Sequence, residues 1–362
     1  MEDVDCTAEN TINITDDATA SLFVYSPMMK ISLSIILVIV LFAGLLGHGL
    51  FFLTVYRIQR MRTVTNTYLC SISIADLIFI FYFVSSFVYT VFTDTVKRGA
   101  PVATSHGCIL LIFLGVFPYY VSLILITLVT LERFYAICLP LSQWTLSSKS
   151  RTRQVILVSW VVALSLTAAM IPHAGKIRFE CIIWPNEEQY EWLPDKRWNC
   201  DVISNSVSLR IYCIVYVAAS YLILLIANFV MYAAIIRALS NRSVVTSLGE
   251  QRKSEVTEIR NQVARLLIIF GIVFFVCQTP RRLSAISDHL NQLGSQRILP
   301  DQGFFDFILT IFLVPLNSVI NPYVYVIFSK SYRDAFLEAL NLKKESQLVK
   351  ETNSVSLKNS TV

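Results

Sequence analysis

The segment TLERFYAICLPL, residues 130–141, ends a long apolar run with an adjacent acid and arginine, Glu132 and Arg133. An arginine at membrane depth costs about 2.5–3.5 kcal/mol on insertion scales, so its presence beside such a run needs a reason. Of the 362 residues in the chain, 55% are hydrophobic and 15% are charged. Soluble domains carry about 25% charged residues, so this composition is typical of a membrane protein.

Seven apolar stretches are long enough to cross a hydrocarbon core of about 30 Å, which takes about 20 helical residues. They cover residues 31–55, 68–92, 108–139, 154–172, 210–237, 262–287 and 303–328. Lipid offers no hydrogen-bond partners to free backbone groups, so each stretch is expected to be helical. The sequence therefore predicts an all-α membrane protein, a seven-transmembrane helix bundle.

Lysine and arginine concentrate in the loops after the first, third and fifth stretches and in the tail. Because loops rich in these residues stay in the cytoplasm, the amino terminus is predicted to lie outside the plasma membrane. The first 17 residues contain six acidic residues and no basic one, unlike the basic start of a signal peptide. On the outer side, Asn13 begins an Asn-Ile-Thr triplet, which is an acceptor for N-glycosylation.

The eight cysteines divide into two groups. Four fall in or beside apolar stretches and are expected to behave as small apolar side chains: Cys70, Cys138, Cys213 and Cys277. Four face the oxidising side: Cys6, Cys108, Cys181 and Cys200. The outer four allow three pairings, between which the sequence does not choose. Strand-forming residues flank a turn-rich segment between Cys181 and Cys200, which predicts a hairpin.

Seven short motifs occur in order on these stretches. They are SISIAD ending at Asp76, Cys108, ERF at 132–134, Trp160, Tyr232, FFVCQTP at 274–280 and NPYVY at 321–325. Together they resemble the rhodopsin-like (class A) G-protein-coupled receptors over residues 28–342. The resemblance implies an extracellular segment (1–27), a seven-transmembrane receptor domain (28–328), a short amphipathic eighth helix (329–342) and a disordered cytoplasmic tail (343–362).

The resemblance gives the opening arginine a role. In this family the arginine pairs with the acid before it at rest and contacts the G protein when the helices part, which implies that Glu132 is the resting partner of Arg133. An arginine that only reaches for lipid headgroups would leave the other motifs unexplained. The implied G-protein switch comprises Glu132, Arg133, Phe134, Leu141, Tyr232, Asn321, Pro322 and Tyr325.

Two further features follow from the resemblance. Family spacing implies a disulfide between Cys108 and Cys200, which leaves Cys6 and Cys181 for a second bond. The resemblance also implies an allosteric sodium ion held by Asp76, Ser122, Asn317 and Asn321, whose oxygen atoms suit a small hard cation. The alternative is an aspartate satisfied by hydrogen bonds and water alone.

Departures from the family pattern lie in the core. His48 replaces the usual asparagine of the first stretch and is expected to be neutral, with Asp76 as one candidate partner. Gln278 replaces the usual tryptophan before Pro280, and Leu224 stands where the fifth stretch usually has a proline. Activation is therefore expected to use altered parts in the core.

The implied ligand pocket contains Tyr119, Tyr120, Tyr216, Gln278, Arg281, Arg282 and Phe307. Gly115 occupies the place of the aspartate that holds amine ligands in the family, which disfavours an amine. Two adjacent arginines suit an acidic group on the ligand. The alternative is that they pair with internal acids such as Asp288 or Asp306.

The mixed-charge outer loop and the acidic amino-terminal segment resemble those of neuropeptide receptors. The predicted function is a cell-surface receptor that binds a neuropeptide and activates heterotrimeric G proteins. A small acidic or lipid ligand is the alternative, and a transporter is the second class. A retinal protein is excluded because residues 303–329 contain no lysine.

The tail suggests two further partners. A phosphorylated tail is expected to recruit arrestin, and the terminal Ser360-Thr361-Val362 fits a PDZ-domain ligand. Four scattered histidines suggest neither a metal cluster nor a catalytic pair, so no enzyme activity is expected. The net charge of +5 reflects the cytoplasmic bias, not a nucleic-acid partner.

Overall fold

The computed structural model of the chain describes residues 6–7, 10–96, 104–139, 149–171, 176–185, 188–201, 207–243, 251–291 and 312–341. Its helices are α1 Asp17–Phe23, α2 Pro27–Arg57, α3 Val64–Thr93, α4 Ser105–Cys138, α5 Lys149–Ala168, α6 Val207–Ser243, α7 Gln251–Asn291, α8 Val314–Phe328 and α9 Lys330–Ala339. Its strands are β1 Thr11–Asn13, β2 Lys176–Ile183 and β3 Lys196–Asp201. Helices α2 to α8 follow the seven apolar stretches in order.

Helix starts follow local capping chemistry. Ser26, Thr63 and Thr104 precede α2, α3 and α4, and each side-chain oxygen accepts a hydrogen bond from a backbone N–H of the first turn. Several helices extend past their apolar stretches, because polar residues outside the lipid continue the helical backbone hydrogen bonding. Helix α7, for example, runs from Gln251 to Asn291, whereas the apolar pattern predicts residues 262–287.

Five of the described helices are long and apolar enough to cross a membrane: α2, α3, α4, α6 and α7. Helix α5 begins with three basic residues among its first five, and the described part of α8 has 15 residues. Large apolar side chains point away from the bundle, among them Phe42 on α2 and Phe229 on α6, which are 69% and 71% exposed. Such surfaces are stable in lipid and unfavourable in water.

The core lies where α3, α4, α7 and α8 meet. Leu69, Ile126, Phe270 and Tyr325 are fully buried members of one apolar cluster there. Helix α4 contacts α3, α5, α6 and α7, so it is the central element of the bundle. A side chain on α4 can therefore reach most of the other helices.

Helix α9 packs against the end of the bundle that also carries Glu132 and Arg133. The Tyr332 hydroxyl donates to Asn66 Oδ1, and Arg57 donates to the Ala339 carbonyl at 2.8 Å. Its buried residues are Tyr332, Ala335 and Ala339, while Leu337 faces outward. The protein-facing side of α9 thus consists of one tyrosine and two alanines, and its placement at the membrane surface stays a prediction.

At the other end, the strands form a cap that consists of β1, α1, β2 and β3. Strands β2 and β3 form the predicted hairpin, with Cys181 opposite Lys196, and β1 adds in parallel to β2. The cap has its own apolar core of Ile14, Ala20, Val96 and Ile182. A disulfide joins Cys6 to Cys181, so the amino-terminal segment is covalently tied to the hairpin.

A buried ion pair supports the same cap. Arg197 on β3 is 7% exposed, and its Nε donates to Glu180 Oε2 at 2.6 Å. The Arg197 guanidinium also lies 5.1 Å from the centre of the Phe23 ring on α1. The cap is therefore stabilised by strand pairing, the disulfide, its apolar core and the contacts of Arg197.

We predict that replacing Cys6, Cys181 or both by serine will release β1 from β2. A disulfide contributes about 2–4 kcal/mol, so amide hydrogen exchange over residues 10–14 is expected to become at least about tenfold faster. All three variants should behave alike, because each breaks the same bond. Cys70→Ser, at a free cysteine of α3, is the control and should leave this exchange unchanged. Amide exchange that is much faster in the double variant than in either single variant would contradict the prediction.

Candidate functional site

The acid and the arginine of the opening segment form a mostly buried ion pair near the end of α4. Arg133 Nε donates to Glu132 Oε2 at 2.6 Å, and Arg133 Nη2 donates to Glu132 Oε1. The two side chains are 15% and 12% exposed. Thr65 on α3 also donates to Glu132 Oε2 at 3.3 Å, so the pair is connected to the neighbouring helix.

Two tyrosines of the implied switch lie on α6 and α8. A hydrogen bond of 3.1 Å joins the hydroxyl groups of Tyr232 and Thr130, and Phe134 packs in the same apolar cluster as Tyr232. Tyr325 is fully buried, with ring centres 5.3 Å from Phe51 and 5.7 Å from Phe270. Pro322 is buried within α8, and Leu141 lies outside the described residues.

Helix α7 allows Tyr232 to approach because it carries a glycine at the contact. A Cβ at Gly271 would lie 1.8 Å from the Tyr232 hydroxyl oxygen, which is far inside any allowed contact. Sequence reasoning missed this glycine, because a single glycine in an apolar stretch does not reveal which side chain approaches it.

A small cavity lies further along the bundle, between α3, α4, α7 and α8. Its polar lining includes Asp76, Ser122, Asn317, Gln278 and Arg282. Its volume is about 30 Å³, and about 10–15 Å³ is enough to hold one water molecule. The structure thus brings most of the implied sodium ligands and part of the implied ligand pocket to one space.

Asp76 is almost fully buried and accepts a hydrogen bond from Asn321 Nδ2 at 2.6 Å. The Oδ1 atoms of Asn317 and Asn321 are buried and have no hydrogen-bond partner among the described residues. Within the same residues there is no group of three or more His, Cys, Asp or Glu side chains that could hold a metal ion. One carboxylate with neutral oxygens around it fits a small hard cation better than a transition metal.

His48 does not bond to Asp76. It is fully buried, and its Nε2 lies 2.9 Å from the carbonyl oxygen of Ser318. A carbonyl can only accept, so Nε2 carries the proton and donates. The Nδ1 atom has no partner in the described part of the chain, which fits the neutral form expected from the sequence. The partner itself, a backbone carbonyl of α8, could not be read from the sequence.

The implied pocket residues fall into two groups. Tyr119, Gln278 and Arg282 line the cavity. Tyr120 shares a hydrogen bond of 3.3 Å with Ser220, and the Tyr216 hydroxyl donates to the Leu166 carbonyl, so both connect α4, α5 and α6. Gly115 also lines the cavity, where a Cβ would lie 3.2 Å from Tyr82.

Phe307 lies outside the described residues, and Arg281 is half-buried on α7 next to Arg282. The glycosylation candidate Asn13 lies on β1 with an exposed side chain. Cys108 is fully buried and disulfide-bonded. Cys200 lies opposite Ile177 in the hairpin, and its side chain is outside the described part of the structure.

The fold and the site agree with one family of membrane proteins. The family model of the 7 transmembrane receptor (rhodopsin family) matches residues 47–325. The chain therefore belongs to this family and is a multi-pass membrane protein, which confirms the resemblance seen in the seven motifs. Its members are receptors, so the chain is not an enzyme.

Several curated receptors align with most of the chain. A QRFP-like peptide receptor of Branchiostoma floridae is 23% identical over 319 residues, covering 88% of this chain and 80% of the relative. The thyrotropin-releasing hormone receptor of Mus musculus is 25% identical over 361 residues, covering 91% and 84%. The growth hormone secretagogue receptor type 1 of Mus musculus is 26% identical over 315 residues, covering 84% and 79%.

We predict that Gly271→Ala will displace Tyr232 and break its bond to Thr130. Overpacking of this kind costs about 1–3 kcal/mol, so the purified protein should melt at a lower temperature. The loss should be smaller in a Tyr232→Leu background, because the clashing hydroxyl is then absent. Gly49→Ala is the matched control, since a Cβ there would meet nothing within 4 Å. Equal destabilisation by the two glycine replacements would contradict the assignment.

Proposed function

We propose that this chain is a plasma-membrane receptor, with its amino terminus outside, that binds an extracellular peptide and activates heterotrimeric G proteins. The observation that carries the coupling part is the buried pair of Glu132 and Arg133 at the end of α4. The family match and the position of the pair near α9 support placing it at the cytoplasmic face. The peptide part is supported by the relatives and by the cap.

The ion pair explains how a resting state can be held. Removing one partner from a buried pair costs about 3–5 kcal/mol, because the other charge is left uncompensated. Arg133 therefore stays with Glu132 until another group takes its place. A G-protein surface that offers backbone carbonyls or a carboxylate can do so, since the guanidinium has five N–H donors.

Two observations favour a peptide as the extracellular ligand. One relative carries the name of a peptide receptor and another that of a hormone receptor. The strand order β1-β2-β3 leaves one edge of β3 without a strand partner among the described residues. An extended peptide can add to such an edge through main-chain hydrogen bonds.

The same proposal includes a sodium ion in the cavity. Asp76 would hold it with Ser122, Asn317 and Asn321, and the unpartnered Oδ1 atoms of the two asparagines support this set. When bound, the ion supplies a positive charge that offsets the buried carboxylate. Arrestin binding and a PDZ-domain partner rest on the tail, which lies outside the described residues.

We predict that Arg133→Ala will abolish G-protein activation while the receptor still reaches the cell surface. Glu132→Gln should have the opposite effect and raise ligand-independent signalling several-fold, because Arg133 loses its counter-charge. The readouts are calcium and cyclic AMP in cells treated with a peptide library, with surface labelling to normalise expression.

The control for the switch variants is Glu338→Gln. Glu338 pairs with Arg60 at 2.6 Å, but the side chains are 44% and 53% exposed. Exposed pairs contribute about 0–1 kcal/mol, so signalling should not change. Normal activation by the Arg133→Ala receptor would remove the basis for the coupling proposal. If small carboxylic acids or lipids activate the receptor and peptides do not, the ligand is a small acid or lipid and not a peptide.

We predict that sodium chloride will stabilise the purified receptor relative to choline chloride at equal ionic strength. At ten times its dissociation constant, a bound ion contributes about 1.4 kcal/mol to the free energy of unfolding. The effect is measured as a rise in melting temperature and should disappear in Asp76→Asn, which removes the only charge among the four ligands. Equal melting temperatures in the two salts would exclude the sodium site.

A further inference from the structure

The two adjacent arginines of α7 differ in their surroundings. Arg282 lines the cavity, and its guanidinium carbon lies 3.6 Å from the centre of the Tyr119 ring. This distance places the cation over the ring face, where it is attracted to the aromatic ring. Arg281 is not among the residues that line the cavity, and it has an interaction of its own. The sequence presents the two residues as a pair, but the structure separates them.

Besides Asn317 Oδ1, three polar atoms of residues that line this cavity have no hydrogen-bond partner among the described residues. Arg282 Nε, the Tyr119 hydroxyl and Gln278 Oε1 are all buried and make no hydrogen bond within the described part of the chain. A buried polar group left unsatisfied costs about 1–3 kcal/mol. Three such groups around one cavity are expected where a ligand completes their hydrogen bonds.

Arg282 also has no counter-charge of its own among the described residues. Asp76 lines the same cavity but accepts its hydrogen bond from Asn321, and no ion pair between Asp76 and Arg282 forms within 4 Å. The cation is therefore held in place by Tyr119 and not neutralised by it. An arginine in this state prefers a carboxylate, which matches the two-pronged geometry of its N–H groups.

We infer that Arg282 is the anion-binding residue of the ligand pocket and takes a carboxylate of the ligand, with the Tyr119 hydroxyl as a second donor. Gln278 Oε1 is an acceptor in the same cavity and suits the amide N–H next to that carboxylate. Phe79 and Phe274 provide apolar surface beside these groups. The ligand class is thus a peptide or acylated amino acid with a free carboxyl group. This inference rests on the proposed function and specifies its ligand.

The test uses N-acetylphenylalanine and its amide, which differ only in the carboxyl group. Each is added to the purified full-length receptor, and its dissociation constant is obtained from the rise in melting temperature. The acid should stabilise the native sequence and Arg281→Gln, and it should not stabilise Arg282→Gln. The amide should stabilise none of them. An acid that has no effect on the native sequence, or an amide that matches it, overturns the inference.

Tyr119→Phe provides a second variant that keeps the ring under Arg282 and removes only the hydroxyl. Loss of one hydrogen bond to a carboxylate should weaken binding of the acid by about 10-fold, and the amide should again have no effect. An unchanged dissociation constant for the acid would exclude Tyr119 as a donor. If the acid no longer stabilises Arg281→Gln but still stabilises Arg282→Gln, the carboxylate binds Arg281, and the inference is overturned.

These measurements contain no G protein, so they separate the inference from the proposed function. If the acid binds in an Arg282-dependent way but no peptide activates the receptor, the carboxylate subsite is supported and the proposal of a peptide receptor is rejected. If peptides signal equally well as free acids and as amides, and Arg282→Gln responds like the native sequence, the peptide-receptor proposal is supported and the carboxylate subsite is overturned.

Discussion

Every polar group inside the bundle has to find a partner within the protein, because lipid offers none. Threonines on α4 show the simplest solution, since Thr127 and Thr130 donate to carbonyls one turn earlier on their own helix. His48 uses a carbonyl of another helix, and Glu132 with Arg133 uses opposite charge. The arrangement of the helices follows from these pairings as much as from the apolar core.

Four of the groups that have no hydrogen-bond partner among the described residues line one cavity. Tyr119, Gln278, Asn317 and Arg282 line it, and each has a buried polar atom without a hydrogen bond to the described residues. Ligand chemistry and ion chemistry thus share one space, with Arg282 and Asp76 as its two fixed charges.

The cavity and the buried ion pair are connected through α4 and α8. Asn321 bonds to Asp76, and Tyr325, one turn further along α8, packs against Phe270 of α7. Helix α4 carries Tyr119 and Ser122 at the cavity and Arg133 three turns later. A shift of α7 against α8 would therefore change the contacts of Tyr325 and of the cavity, which residues of both helices line. The cap is stabilised separately, by strand pairing and a disulfide, because it lies outside the apolar part of the bundle.

The sequence alone determined the membrane character, the order of the helices and the family, since each depends on local composition or on short motifs. It also predicted the hairpin between Cys181 and Cys200 and the neighbouring charges of Glu132 and Arg133. Helix ends were less accurate, as for α7, because helical hydrogen bonding continues past the apolar residues that mark a span.

Only the tertiary structure decided which distant groups meet. It placed β1 beside β2, Tyr232 against Gly271, and His48 on the carbonyl of Ser318. It also separated Arg282 from Arg281 by setting one of them over the ring of Tyr119. None of these contacts has a sequence pattern, because each depends on the rotation of one helix or strand against another. That rotation is set by the packing of the whole bundle.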